Sequence, residues 1–406
     1  MHYNRAKIAI FAFLIAVMDH LIAQYRRLLN STDTGFFRYI HHQVNWKNRM
    51  IGLTGPRGVG KTTLVLQHIK KYLNPDETLY VNAEDFYFAD NRLMDLADYF
   101  VKRGGKYLCI DEIHKYEKWA QELKLIYDYH PELNVIFTGS SVLDIKKGAS
   151  DLSRRAVMYN MQGLSFREYL VLFHRIELKE FTLQEILNHQ VEAAGLKYPL
   201  LLFEDYLKIG YYPFAKEEDF NQKLLQVINQ TLEIDIPFYA GMNISTGRKL
   251  RQLLAIIAEG VPFKPNFSSI ANALAASRNN IADYCQFIEE AGMIMQLRDA
   301  TGGIKGLGKV NKIYLDNTNL IHCIAKDKSN LGNIRETFFL NQLRVKYNVI
   351  NSKLADFQVD EYTFEVGGRN KGIKQLEGVQ HGYVVKDNLE FGYSNRIPLW
   401  HFGLTY

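Results

Sequence analysis

Gly55-Pro56-Arg57-Gly58-Val59-Gly60-Lys61-Thr62-Thr63 follows the apolar run Met50-Ile51-Gly52-Leu53 and opens onto Leu64-Val65-Leu66. G-x-x-x-x-G-K-T between a strand-like and a helix-like segment reads as a phosphate-binding loop. The glycines are required because backbone N–H groups must turn inward around an anion, at an approach a Cβ would obstruct. Lys61 is then placed to reach the β and γ phosphates, and the Thr62 hydroxyl to ligate Mg²⁺. The following helix presents its positive end to the same anion. Gly55, Pro56, Arg57, Gly58, Val59, Gly60, Lys61, Thr62 and Thr63 form the cradle. ATP with Mg²⁺ is the implied ligand.

Such a loop needs an acidic partner. Tyr107-Leu108-Cys109-Ile110 ends in Asp111-Glu112, a pattern expected of a buried parallel strand with two carboxylates at its tip. Asp111 is read as part of the Mg²⁺ shell and Glu112 as the group that polarises the attacking water, because phosphoryl transfer asks for position and charge. A third strand, Asn134-Val135-Ile136-Phe137-Thr138, runs into Gly139-Ser140-Ser141, with Ser140 as a candidate sensor of the γ phosphate. Over residues 36–162 short apolar runs alternate with amphipathic stretches, which predicts an α/β fold of parallel strands joined by helices, the nucleotide at the strands' carboxyl ends.

The rest of the chain changes texture twice. From 165 to 258 the spacing is helical throughout and predicts a helical lid and a connecting bundle. Between 259 and 330, Pro262 and Pro265 break the preceding helix, Ser268 or Ser269 can cap a short helix through Leu274, and Ser277 a longer one from Arg278 to Ala291. Strand-like Met293–Leu297, a glycine-rich hairpin from Gly302 to Gly308 and Lys312–Leu315 complete a winged-helix pattern. DNA contact through its second helix is an option, but Asn279, Asn280, Asp283, Gln286 and Glu290 leave only Arg278 for phosphate attraction. Lys305, Lys309 and Lys312 make the wing more basic than the helix.

Composition narrows the class. The 406 residues exceed one typical core, and 47% hydrophobic with 23% charged residues is ordinary for a water-soluble globular chain. A net charge of +5 permits nucleic-acid contact without arguing for it. Cys109, Cys285 and Cys323 are too far apart for a metal or redox motif, which fits a reducing cytoplasm. Ile8–Met18 is apolar and follows Arg5 and Lys7, but as a helix it spans only about 16 Å. That is short of a hydrocarbon core of roughly 30 Å, so no stable membrane insertion is expected. Met18 is read as the natural start, with a peripheral membrane anchor as the alternative for residues 1–17.

The phosphate loop, Asp111-Glu112-Ile113-His114, Thr138-Gly139-Ser140-Ser141, Leu152-Ser153-Arg154-Arg155 and Leu164-Ser165-Phe166-Arg167-Glu168-Tyr169 together resemble an AAA-type family of bacterial and archaeal P-loop ATPases within the AAA+ superfamily. The resemblance runs from about residue 35 to the C-terminus. It implies ATP and Mg²⁺, a five-stranded parallel core, a helical lid and a winged helix. It also implies that Arg155, with Arg154 beside it, reaches the nucleotide of a neighbouring subunit, and hence a homo-oligomer. Gly210-Tyr211-Tyr212-Pro213-Phe214 departs from the pattern, lacking the arginine such lids often carry.

Residues 331–406 resemble the restriction-endonuclease-like PD-(D/E)XK fold. Glu336 lies in a helix-like stretch, and Asp356 and Glu365 stand as the acidic pair that would hold a divalent metal. The position of the expected lysine is Gly367; Lys371, Lys374 and Gln375 follow, and Ile397–Phe402 is expected as a final strand. The organisation expected is thus an N-terminal helical extension (1–35), an ATPase core (36–164), lid and bundle (165–258), winged helix (259–330) and an inactive nuclease-like domain (331–406). Three functions follow: an ATPase driving movement, with DNA as one target; a slow nucleotide-controlled switch recruiting a protein partner; and an ATP-dependent nuclease.

Overall fold

The computed structural model describes residues 18–139, 152–300, 309–325, 330–368 and 376–406. Ser140, residues 1–17, the glycine-rich hairpin with Lys305, and Lys371, Lys374 and Gln375 lie outside them. The chain divides into two compact units, 1–161 and 162–406.

In the first unit, strands β1 (Met50–Thr54), β2 (Thr78–Asn82), β3 (Tyr107–Asp111), β4 (Asn134–Gly139) and β5 (Val157–Asn160) form one sheet in the order β2-β3-β4-β1-β5. Every pairing is parallel. All five residues of β1 are buried, as a central strand covered on both faces demands. Leu108 and Ile110 on β3 and Val135 and Phe137 on β4 pack with Leu96, Leu123 and Ile126 of the flanking helices Leu93–Lys102 and Trp119–Tyr129. β1, β3 and β4 all end on the edge of the sheet where the helix Lys61–Tyr72 begins.

The second unit carries β6 (Ile294–Arg298) paired antiparallel with β7 (Val310–Leu315), and a mixed sheet of β8 (Val349–Asn351), β9 (Phe357–Val359), β10 (Tyr362–Gly367), β11 (Gly382–Lys386) and β12 (Arg396–Pro398). β8, β9 and β10 run antiparallel in turn, whereas β11 and β12 are parallel to β10. Phe339, on the helix Leu331–Leu343, packs its ring 5.1 Å from Phe357, 5.1 Å from Phe364 and 4.8 Å from Phe402. Ile397–Phe402 is not one strand. β12 stops at Pro398 and a 3₁₀ turn, Leu399–Leu404, takes over, since proline cannot donate to a ladder and the run is buried on all sides.

The two helices after Pro265 are Phe267–Ala273 and Arg278–Glu290. Ser277 caps the second, accepting from Asn280 N. The first is capped by Asn266, which accepts from Ser269 N, rather than by Ser268 or Ser269. With the cap at Asn266 the helix begins at Phe267, so Ser268 and Ser269 fall within its first turn and the Ser269 N–H is the orphan donor that is satisfied. Leu164–Tyr169 forms a capping box: Ser165 and Glu168 satisfy each other's backbone N–H at the start of the helix Phe166–His174. Ser165 Oγ also donates to the carbonyl of Tyr406 at 2.7 Å, and Arg167 Nε to the same oxygen at 2.9 Å.

Candidate nucleotide site

The loop between β1 and the helix Lys61–Tyr72 has glycines where side chains cannot go. Gly55 has φ +148°, and a Cβ there would lie 2.1 Å from the Met161 carbonyl. Gly60 caps the helix in the left-handed conformation, φ 97°. Arg38 braces the loop from outside by donating to Val59 O at 2.5 Å.

Lys61 is buried and donates to Gly55 O and Pro56 O, both at 2.9 Å. Burial pushes its ammonium down to about 8, against the pull of Glu112 and Asp111. The loop carbonyls hold the lysine in place, and a bound polyphosphate would restore the electrostatic support that burial removes.

Asp111 is the centre of the site. Thr62 Oγ1 donates to its Oδ2 at 2.7 Å, Tyr80 to the same oxygen at 2.8 Å, and Thr138 to Oδ1. The carboxylate is almost wholly buried, so three hydroxyls replace the water it has lost. Burial first, then Asp111, pushes the Tyr80 hydroxyl far above its ordinary value, so it stays a donor. Thr62 and Asp111 converge as hard oxygen donors, the chemistry Mg²⁺ prefers, and they are the residues that would hold it.

Glu112 adopts φ 49° and ψ 41°, a left-handed conformation uncommon for glutamate. Its N–H donates to Thr138 Oγ1 at 3.2 Å, and its carboxylate meets His114 Nε2 at 3.2 Å. Lys61, Thr62, Asp111 and Glu112 thus come together, at the strand ends where the sequence placed them. Tyr80 and Arg38 were not singled out in advance, and Thr138 and His114 stood in quoted motifs without a role of their own. The parallel register was the available signal for Thr138: with Ile110 beside Phe137, the next residues, Asp111 and Thr138, must be neighbours.

Arg155 does not face Asp111. It makes a two-pronged pair with Asp128, Nε to Oδ1 at 3.0 Å and Nη2 to Oδ2 at 2.9 Å, while Arg154 is exposed.

In the second unit, Glu336, Asp356 and Glu365 lie on or beside the mixed sheet, with Glu365 1% exposed. Asp356 Oδ2 accepts from Val366 N at 3.0 Å. Lys312, from β7, lies 3.6 Å from Glu336 and 3.4 Å from Asp356, and Tyr314 donates to Glu336 at 2.7 Å. Among the described residues no group of three His, Cys, Asp or Glu side chains is arranged to hold a metal. Tyr211 and Tyr212 of the Gly210–Phe214 stretch are buried; Tyr211 N donates to Asn319 Oδ1 at 2.8 Å. No helix among the described residues is long and apolar enough to cross a membrane.

Residues 47–170 match the family described as AAA domain, and residues 200–331 match a domain of unknown function, DUF8612. The chain is 28% identical over 289 residues to uncharacterized protein MJ1637 of Methanocaldococcus jannaschii, which covers 66% of this chain and 61% of that protein. Among solved structures it is similar to PCH-2 of C. elegans, with 18% identity, 68% and 66% of the two chains covered and a TM-score of 0.25. AMPPCP-bound DnaA from Aquifex aeolicus gives 13% identity, 66% and 86% coverage and a TM-score of 0.25. Residues 47–170 are thus similar to the AAA domain, and Lys61, Thr62 and Asp111 lie within the matched stretch.

Proposed function

We propose that this protein binds ATP with Mg²⁺ and hydrolyses it, and that the cycle drives a conformational change in residues 162–406. The observation that carries the reading is the meeting of Thr62 and Asp111 at 2.7 Å beside the Lys61 loop, with Glu112 one residue further on. Thr62 and Asp111 would hold Mg²⁺, which when bound would neutralise charge on the phosphates. Lys61 binds the phosphates and Glu112 polarises the water. In this scheme Ser140 senses the γ phosphate, and Arg155 acts in a neighbouring subunit after leaving Asp128. The test is ATP hydrolysis measured together with particle mass, for the unaltered protein and Arg155→Ala, with and without DNA. Hydrolysis with assembly, both impaired in turnover by Arg155→Ala, is the expected result. A monomer that hydrolyses ATP at the same rate with either residue sinks the intersubunit role, and no hydrolysis under any condition sinks the whole reading.

A second reading, a nucleotide-controlled switch that recruits a protein partner, draws on Lys312. We read residues 259–330 as a winged helix, and its engagement of Lys312 with Glu336 and Asp356 removes a cation from the surface that would face phosphate. The exposed side of Arg278–Glu290 offers Asn279, Asn280, Asp283 and Gln286. DNA-stimulated turnover favours DNA as target; nucleotide-dependent capture of protein without stimulation favours the switch.

The nuclease reading is the weakest of the three. Gly367 stands where the lysine of that chemistry is expected, and Lys312 lies 3.4 Å from Asp356, one of the acidic pair a metal would need. Single- and double-stranded DNA incubated with the protein and Mg²⁺ or Mn²⁺ should remain intact. Cleavage that disappears in Glu365→Ala would overturn this.

A further inference from the structure

Backbone N–H groups hold a phosphate only if their peptide planes are turned the right way, and a loop rich in glycine does not fix its own planes. Gly58 has φ 84° and Gly60 φ 97°, whereas Val59 between them keeps the ordinary negative sign. Such alternation turns successive N–H groups toward one side, the form of an anion-holding nest. The Val59–Gly60 peptide also has an external hold, because Arg38 Nη1 donates to Val59 O at 2.5 Å. A trans peptide is planar, with its C=O and N–H pointing in opposite directions. A donor that holds the Val59 oxygen therefore fixes the direction of the Gly60 N–H as well.

Arg38 is itself held in place. Only 4% of it is exposed, and the segment that carries it is fastened to the helix Lys61–Tyr72, the helix that the loop enters. From that helix Gln67 Nε2 donates to Asp33 O at 2.8 Å and to Phe36 O at 2.9 Å. Beyond Arg38, His41 Nε2 meets His68 Nδ1 at 3.2 Å, and the Trp46 ring stacks on His68 with centroids 3.7 Å apart. The arginine and the loop thus share one support. A buried arginine is more often a packing residue than a functional one, but here the guanidinium is directed at a carbonyl of the phosphate loop itself.

We propose that Arg38 is a positioning residue for nucleotide binding: by holding Val59 O it turns the Gly60 N–H to the side where the β phosphate binds. The inference rests on the reading of this loop as the ATP site. A guanidinium suits the task, since a charged donor holds a carbonyl more firmly than a neutral one and stays protonated at any working pH. In this role the phosphate meets the N–H and not the arginine. The β phosphate is common to ADP and ATP, so the effect falls on affinity for both and leaves the chemical step alone.

The test is fluorescence titration with ADP and with a non-hydrolysable ATP analogue, beside steady-state hydrolysis and melting temperature, on the unaltered protein, Arg38→Met, Arg38→Lys and Arg38→Gln. Arg38→Met keeps the buried stem and lacks the donor. It should weaken ADP and the analogue by the same factor, on the order of 10- to 100-fold, the size expected when a hydrogen bond to a charged group is lost. KM for ATP should rise to match, with kcat within about threefold of the unaltered protein. Arg38→Lys, which can reach Val59 O with one N–H, should recover most of the affinity, and the shorter Arg38→Gln should not. Arg38→Met that binds ADP within about twofold of the unaltered protein overturns the proposal, whatever its melting temperature, because an arginine that only packs would lower stability and leave affinity alone. A loss confined to the ATP analogue, or equal affinities in the Lys and Gln variants, overturns it too. Should Arg38→Met fail to fold, the comparison of Lys with Gln decides the matter. Failure of the unaltered protein to bind either nucleotide would instead remove the ATP reading, and this inference with it.

Discussion

Glu112→Gln is expected to bind ATP as the unaltered protein does and to hydrolyse it at least about 100-fold more slowly, a barrier increase of roughly 2.7 kcal/mol. The amide keeps the shape of the carboxylate and loses the charge that polarises water. Lys61→Ala is expected to fail one step earlier. Its ammonium is held by the Gly55 and Pro56 carbonyls at the mouth of the loop, so its removal takes away the charge that meets the β and γ phosphates. The two variants therefore separate binding from chemistry: fluorescence titration distinguishes Lys61→Ala, and phosphate release distinguishes Glu112→Gln. Unchanged hydrolysis in Glu112→Gln would sink the assignment of Glu112, and undiminished ATP affinity in Lys61→Ala that of Lys61.

The second large effect is expected in stability, far along the chain from the phosphate loop. Asp316 has no exposed side-chain surface and pairs with Arg344, which is about a quarter exposed. Asn317 Nδ2 adds a hydrogen bond to Asp316 Oδ2 at 3.2 Å. Breaking such a pair from one side leaves a buried charge, so Arg344→Ala should destabilise the second unit by about 3–5 kcal/mol. In a unit of this size that lowers the melting temperature by on the order of 10 °C. The double variant Asp316→Asn/Arg344→Met should fall by less, because no lone charge remains. Calorimetry checks both. Arg344→Ala within about 0.5 kcal/mol of the unaltered protein would mean that the pair carries no such weight.

The parts legible in the sequence are those whose chemistry is local. Lys61 and Thr62 follow from one loop, and Asp111 and Glu112 from one strand tip, because adjacent residues alone define the pattern. β1, β3 and β4 were legible for the same reason, each being a short apolar run of its own, whereas β2 and the half-exposed β5 were not named from the sequence. Thr138 and Tyr80 needed the strand register, since each reaches Asp111 from a different strand. Lys312 was read only as a basic residue of the wing: it lies 44 residues from Asp356 in the chain, and only the packing of β7 brings the two together. Arg154 and Arg155 were indistinguishable as letters, and it is the Asp128 carboxylate that separates them. The same holds for Asn266, which took a cap that two nearby serines could equally have filled.

The hydrogen bonds from Ser165 and Arg167 to the Tyr406 carbonyl bear on how the chain is made. They join positions up to 241 residues apart and lie inside one unit, whose early capping box is held against its last described residue. The parallel sheet of the first unit has all its strands by Asn160 and can form while synthesis continues. The second cannot close its structure until Tyr406 has left the ribosome, and closing so long a loop is slow. On the ribosome, therefore, the half with the phosphate loop precedes the half it is proposed to move. Until then Ser165 and Arg167 lack the acceptor they share in the folded unit.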